Sequence, residues 1–293
     1  MKYSRWDNPE GRSASFRLFE RDHTQLNKIY WHSVSEKSFF DFRYRQAKKN
    51  KSELPFDILK IDRRYKSANN IRNNLDQWND YRSDMADWIR LNSLLSLYSY
   101  FELYINRITK VAQESDPGLF LGASKTIDGA KILKTNNWND AYLPNYSLEI
   151  TKGTWQQRIS ALEKSFSVEM TDTRTKIDDL EKTRKIRNSI AHYFGRDLND
   201  SNLLQFIHLK NVSLKEESLI SYFDLFYNVA EELDSKMIIY IGDYEILRFY
   251  TSILLKKRHM DARSLKKEIN NIKLWENKGS EYCESLIKYY DGL

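Results

Sequence analysis

One stretch of the chain gathers side chains able to act on a phosphodiester: Arg184-Lys185-Ile186-Arg187-Asn188-Ser189-Ile190-Ala191-His192-Tyr193-Phe194-Gly195-Arg196-Asp197. A guanidinium is a permanent forked cation that matches phosphate oxygens. An imidazole exchanges a proton near neutrality as general base or acid, and an amide can orient either group. At about 100° per residue, Arg184, Asn188 and His192 share one ridge of a helix. Arg187 lies one step round from it, beside a strip holding Leu180, Ala191 and Phe194. Arg187 and His192 point about 140° apart on an ideal helix, so one copy does not focus both on one phosphorus. Two copies about a twofold axis do, because an isologous interface brings the same segment of each face to face. The plainer alternative is a hydrogen-bonded structural histidine, with Arg187 an ion-pair partner for Glu102.

The elements that must position this segment read as helices. Between Gly11 and Gly118 there is no glycine and only Pro55. Helical patterning is expected over 13–50, where Arg43-Tyr44-Arg45-Gln46-Ala47-Lys48-Lys49-Asn50-Lys51 forms a basic run, either a solvated face or a phosphate contact. A second helix begins near Ser83, with Trp88, Leu91, Leu95, Tyr98, Ile105 and Ala112 at helical spacing. Glu102 falls on that face and needs a partner, since burying a carboxylate unpaired is costly. Two readings stand open there: a structural salt bridge, or an acidic group facing an Arg/His site. Residues 117–153 read as an irregular connection with short helices, one over Asp128–Lys134. Helices follow at Thr154–Phe166 and Thr173–Phe194, the latter closed by Gly195. Ser213-Leu214-Lys215-Glu216 reads as a capping box opening a helix with Leu219, Phe223, Phe226, Ala230, Leu233 and Met237 on its buried face. The tail from Asp243 is helical and basic, with Lys256-Lys257-Arg258-His259, Arg263, Lys266 and Lys267. The expected class is all-α, a helical bundle with extensions at 1–81 and 243–293 around a central 82–242.

The motif segment resembles the HEPN superfamily, ribonuclease-like branch, whose nuclease members carry Arg, four to six residues, then His, often with Asn directly after the Arg. Arg187-Asn188-Ser189-Ile190-Ala191-His192 has that spacing and that Asn. The resemblance spans about 82–240 and implies a four-helix bundle acting as a homodimeric, metal-independent endoribonuclease with no cofactor. It attacks with the RNA 2′-hydroxyl and leaves a cyclic phosphate and a 5′-hydroxyl. His192 would be the acid–base group, Arg187 the phosphate clamp and Asn188 the orienting amide, with Arg184 and Glu102 ordering the site around the substrate. The implied role is a bacterial antiviral or growth-arrest effector, with a defence-system protein as a further partner. The alternative is a non-catalytic HEPN module binding nucleic acid or protein. Some HEPN toxins place a Tyr two residues after the motif His as a modification site; Phe194 stands there in this chain.

Composition narrows the remaining classes. The 293 residues carry 47 Lys+Arg against 41 Asp+Glu, a net +6, which suits RNA as a partner but is only a mild excess. Nine Gly and four Pro are about a third of ordinary usage, which disfavours turn-rich sandwiches and barrels. The single Cys283 forms no intrachain disulfide, and the start MKYSRWDNPEGRS has no apolar signal region, so a cytoplasmic setting is expected. The longest apolar runs, such as Met237–Ile241, are far below the roughly 18 residues that span a bilayer, so no membrane partner is expected. Gly118-Leu-Phe-Leu-Gly122-Ala-Ser-Lys125 fails as a phosphate loop in both glycine spacing and lysine placement. His23, His32, His208 and His259 have no comparable Arg/Asn context, and no HExxH or Cys/His metal set occurs.

Overall fold

The structure, a computed structural model, describes residues 3–6, 11–49, 64, 75–135, 147–193, 213–255 and 259–293. Among them are eleven α-helices and no strand, so the fold is all-α. In chain order they are α1 (Ala14–Lys49), α2 (Leu75–Ser115), α3 (Gly129–Thr135), α4 (Ser147–Thr151), α5 (Trp155–Phe166), α6 (Thr171–Arg174), α7 (Ile177–Tyr193), α8 (Glu216–Ile241), α9 (Tyr244–Leu254), α10 (Ala262–Ile272) and α11 (Ser280–Asp291), with a 3₁₀ turn at Pro117–Leu121. No helix among the described residues is long and apolar enough to cross a membrane.

The chain divides into two compact units, one built from Met1–His23, Tyr98–Lys182 and Asp224–Leu293, the other from Thr24–Leu97 and Thr183–Phe223. The expected boundary between 81 and 82 falls inside α2. In the first unit an aromatic core forms where α2 meets α1, α5 and α8. Phe101 lies 4.8 Å from Phe226 and 5.7 Å from Trp155 between ring centroids, and Phe19 lies 5.2 Å from Tyr104. Offset and edge contacts of this kind add to the burial of large rings. The Tyr104 hydroxyl, sealed from water, donates to the Ala230 carbonyl at 2.9 Å. The buried line of α2 runs through Leu91, Leu94, Leu97, Phe101, Tyr104, Ile108 and Val111. The expected stripe shares this buried face: Leu91, Tyr98, Ile105 and Ala112 are buried, whereas Leu95 is half-buried and Trp88 exposed.

Local sequence explains several helix ends. Thr154 caps α5 reciprocally with Gln157, the Thr154 side chain accepting from the Gln157 N–H. Two ends differ from expectation. The helix expected over 173–194 is broken into α6 and α7. The Glu232 carboxylate accepts the Asp172 and Thr173 N–H groups at 3.1 and 2.8 Å and the Thr173 hydroxyl at 2.6 Å, giving α6 a partner at its start. Helix α8 begins at Glu216 rather than after a cap at Ser213, and the Glu216 carboxylate accepts the Tyr30 hydroxyl at 3.0 Å.

The N-terminal segment of the first unit is fastened by Arg5, which is fully buried. Its carbonyl accepts the Asp243 N–H at 3.0 Å, and the chain passes so close to Gly242 that a Cβ there would lie 2.2 Å from that carbonyl oxygen. Gly242 also sits at φ +49°, in the left-handed region that side chains disfavour. Gly242→Ala is expected to cost about 1–3 kcal/mol of stability, as overpacking does elsewhere, measurable by urea unfolding. Cys283 is buried on α11, and burial raises its thiol pKa, which suits an inert packing residue.

Candidate functional site

Helix α7 holds the residues singled out by the sequence. Its first turn carries Asp178 and Asp179 and its later turns Arg184, Lys185 and Arg187, a polarity that complements the helix dipole. Leu180, Thr183 and Ile190 are its buried positions, spaced at helical intervals. Arg187 falls in that same line, four after Thr183 and three before Ile190, and is half-buried. Ala191, expected in the buried strip, is exposed instead; Thr183 and Ile190 replace it, turning the buried face towards Arg187. Phe194 and Gly195 lie outside the described residues.

The Arg187 Nη1 donates to the Asn188 Oδ1 at 3.1 Å. That bond ties two adjacent side chains together and sets the amide with its oxygen towards the guanidinium. Arg184, also half-buried, precedes Asn188 by one turn. His192 lies in the last turn of α7, four after Asn188, and its side chain is outside the described part. Thus one helix carries Arg184, Arg187, Asn188 and His192 within about two and a half turns, with the guanidinium of Arg187 rising from the edge of a buried line.

Glu102 belongs to the other compact unit. There its Oε1 accepts Arg158 Nη1 at 3.1 Å. The Arg158 guanidinium is nearly sealed from water, lies 4.9 Å from the Trp155 ring centroid and also donates to the Gly153 carbonyl at 3.2 Å. The partner that a carboxylate on this face requires is supplied by Arg158, which the sequence did not single out. Of the basic run, Arg43 and Arg45 are exposed; the side chains from Ala47 to Lys51 and residues 256–258 lie outside the described residues.

A polar recess of about 530 Å³ in the first unit was not anticipated. Arg12, Asp172, Lys176, Glu231 and Asp234 line it, and Arg12 pairs with Glu231. Two carboxylates, the buried Asp234 that lines the recess and the half-buried Glu245, receive the start of α1. Asp234 accepts the Ser13 N–H and hydroxyl, and Glu245 accepts the Ala14 N–H at 2.6 Å, the Ser15 N–H at 3.1 Å and the Ser15 hydroxyl at 2.7 Å. These bonds satisfy donors that a helix start leaves open. Burial outweighs them: it pushes Asp234 up to about 6 and raises Glu245 as well. An acid whose pKa is raised by folding gives most stability while protonated. The Asp234 contribution is therefore complete below about pH 4, falls as pH rises to about 6 and stays lost above it. Asp234→Asn keeps the acceptor without the charge. It is expected to be more stable than the parent at pH 7.5 by up to about 3 kcal/mol, and nearly equal at pH 4. Thermal melts across that range check this; a gap independent of pH would contradict it.

The signal that could have found this pair is faint, since Asp234 follows the buried Leu233 and Glu245 follows the buried Tyr244. Comparisons with protein-family models, with curated proteins and with solved structures find no match for the chain.

Proposed function

We propose that this chain is a HEPN-type endoribonuclease that cleaves RNA without a metal, using α7 from each of two copies, as an effector of bacterial antiviral defence or growth arrest. The observation that carries the reading is the Arg187–Asn188 pair, bonded at 3.1 Å on the half-buried edge of α7 with His192 one turn on. The adjacent amide orients the Arg187 guanidinium, and a planar forked cation is the group whose geometry matches phosphate oxygens.

The chemistry follows from these groups. The RNA 2′-oxygen attacks the adjacent phosphorus while a histidine base takes its proton, the P–O5′ bond breaks, and the leaving 5′-oxygen takes up a proton. The products are a 2′,3′-cyclic phosphate and a 5′-hydroxyl. Charge develops on the non-bridging phosphate oxygens, where Arg187 would stabilise it. Because positions 187 and 192 diverge by about 140° on one helix, the guanidinium and the imidazole acting on one phosphorus would come from different copies.

The test is incubation of the purified chain with total RNA in EDTA, followed by end-group mapping of the fragments. The expected result is cleavage with cyclic-phosphate and 5′-hydroxyl ends, together with growth arrest on induced expression, both relieved by His192→Ala. An intact dimer that leaves transfer, ribosomal and messenger RNA whole would overturn the proposal.

A further inference from the structure

Within the second unit, α1 and α2 enclose a cavity of about 370 Å³, inside the size range of small-molecule sites. Val34 and Phe40 of α1 and Met85, Ala86 and Ile89 of α2 give it apolar walls. The lining follows both helices in steps of three and four, so the cavity is a trough. From Tyr30 to Phe40 it runs about 15 Å at the helical rise.

Its two ends differ in their polar groups. At the Tyr30 end these groups serve the fold. The Tyr30 hydroxyl donates to Glu216 at 3.0 Å, and Arg90 donates from Nε to the Leu214 carbonyl at 2.6 Å and pairs with Asp87. The Phe40 end holds donors in reserve. Arg82, 6.0 Å from the Phe40 ring centroid, pairs with Asp41 through Nη1 and gives Nη2 to the Asn79 Oδ1 at 2.9 Å. Its Nε is sealed from water and has no acceptor among the described residues, an arrangement that costs stability until something accepts from it. Lys37, exposed on the lining one turn before Phe40, pairs with no carboxylate among those residues. Glu36, also on the lining, is drawn towards His32 at 3.3 Å, a turn nearer the other end.

These observations define the occupant. Asp41 balances Arg82, so Lys37 leaves the Phe40 end one positive charge to be met. A long apolar trough with one buried donor and one surplus cation at a single end matches a linear amphiphile with a singly charged anionic head. A nucleobase presents several donors and acceptors along its edge, which walls of Val34, Met85, Ala86 and Ile89 do not answer. A phosphate monoester carries close to two charges, more than this end offers.

We propose that the trough binds a medium-chain fatty acid, with its acyl chain between Val34 and Met85 and its carboxylate accepting from Arg82 Nε and Lys37 Nζ. Both bonds are charge-assisted. The site goes beyond the nuclease reading and does not rest on it. Binding is measured without RNA, so a failure of the trough and a failure of cleavage are seen separately.

Calorimetric titration of the full chain with octanoate, decanoate and dodecanoate, each below its micelle concentration, tests it. One saturable site is expected. Each added methylene should tighten binding about three- to fourfold until the chain outgrows the trough, where the gain stops. Decylamine, which reverses the head charge, should bind about tenfold more weakly than decanoate or worse, and uridine 5′-monophosphate should not displace decanoate. Lys37→Glu should weaken decanoate about tenfold with thermal melts unchanged, because the side chain is exposed. Ala86→Phe places a ring in the trough and should abolish binding of all three acids while the chain stays helical by circular dichroism. No saturable decanoate binding, equal affinity for decanoate and decylamine, displacement by the nucleotide, or unchanged affinity in either variant would each overturn the proposal.

Discussion

Replacing Arg5 with alanine is expected to cost about 3–5 kcal/mol of stability, the range seen when one member of a buried ion pair is removed. The guanidinium is inaccessible to water. Its Nε donates to Asp128 at 2.7 Å, Nη1 to the Ser115 hydroxyl at 2.8 Å and the Ile241 carbonyl at 3.4 Å, and Nη2 to the Ser115 carbonyl at 2.7 Å. It also stacks over Trp6, 3.4 Å from the ring centroid. Removing it leaves Asp128 with the Tyr289 hydroxyl and the Ala130 N–H for compensation, and strips two carbonyl oxygens of a charged donor. Arg5→Lys keeps the charge but has no fork to reach these four acceptors at once, so it should recover only part of the loss. Chemical denaturation monitored by circular dichroism gives the number. A loss below about 1 kcal/mol would be the range of a surface contact and would contradict the buried clamp.

For the proposed reaction, His192→Ala and Arg187→Ala are each expected to lower the single-turnover cleavage rate by about 10²–10⁴-fold, the span that a general acid–base group supplies and that removal of a charge-stabilising donor approaches. The two substitutions should differ in character. Without the imidazole, the pH dependence of the rate should flatten near neutrality while RNA affinity holds. Without the guanidinium, affinity should fall and its salt dependence become shallower. Arg187→Lys separates charge from geometry: a lysine offers one point of contact, so recovery should be partial. If neither alanine variant slows cleavage while neutralising the 43–51 and 256–267 cations weakens RNA binding, the non-catalytic reading prevails.

How far these features were legible in the sequence depends on the range of the interaction responsible. The helical class followed from the scarcity of Gly and Pro and from spacing that a single turn enforces, and α5 begins where Thr154 and Gln157 can cap one another. Features governed by distant partners were hidden. Glu102, half-buried on the apolar face, demanded a cation, but Arg158 is 56 residues away, and nothing local marks it. The interruption before α7 is tied to Glu232, 59 residues beyond Thr173, and Glu216, expected to act within its own helix start, is engaged by Tyr30, 186 residues earlier. On α7 the ridge of Arg184, Asn188 and His192 was readable from periodicity. That Arg187 itself lies in the buried line was not, because periodicity alone does not fix which apolar strip of a mixed helix faces its neighbours, and here packing chose Thr183 and Ile190 over Ala191.

The anchorage of Arg5 also sets an order of events during synthesis. Its partner at Ile241 lies 236 residues further on, so at about 5–20 residues per second a ribosome takes roughly 10–50 s to deliver the second half of the contact. Throughout that interval the segment that carries Arg5 has no completed socket to enter. Its docking should therefore be a late step, and a chaperone or protease encountering the emerging polypeptide would meet Trp6 and Tyr3 before the rest of the molecule can shelter them.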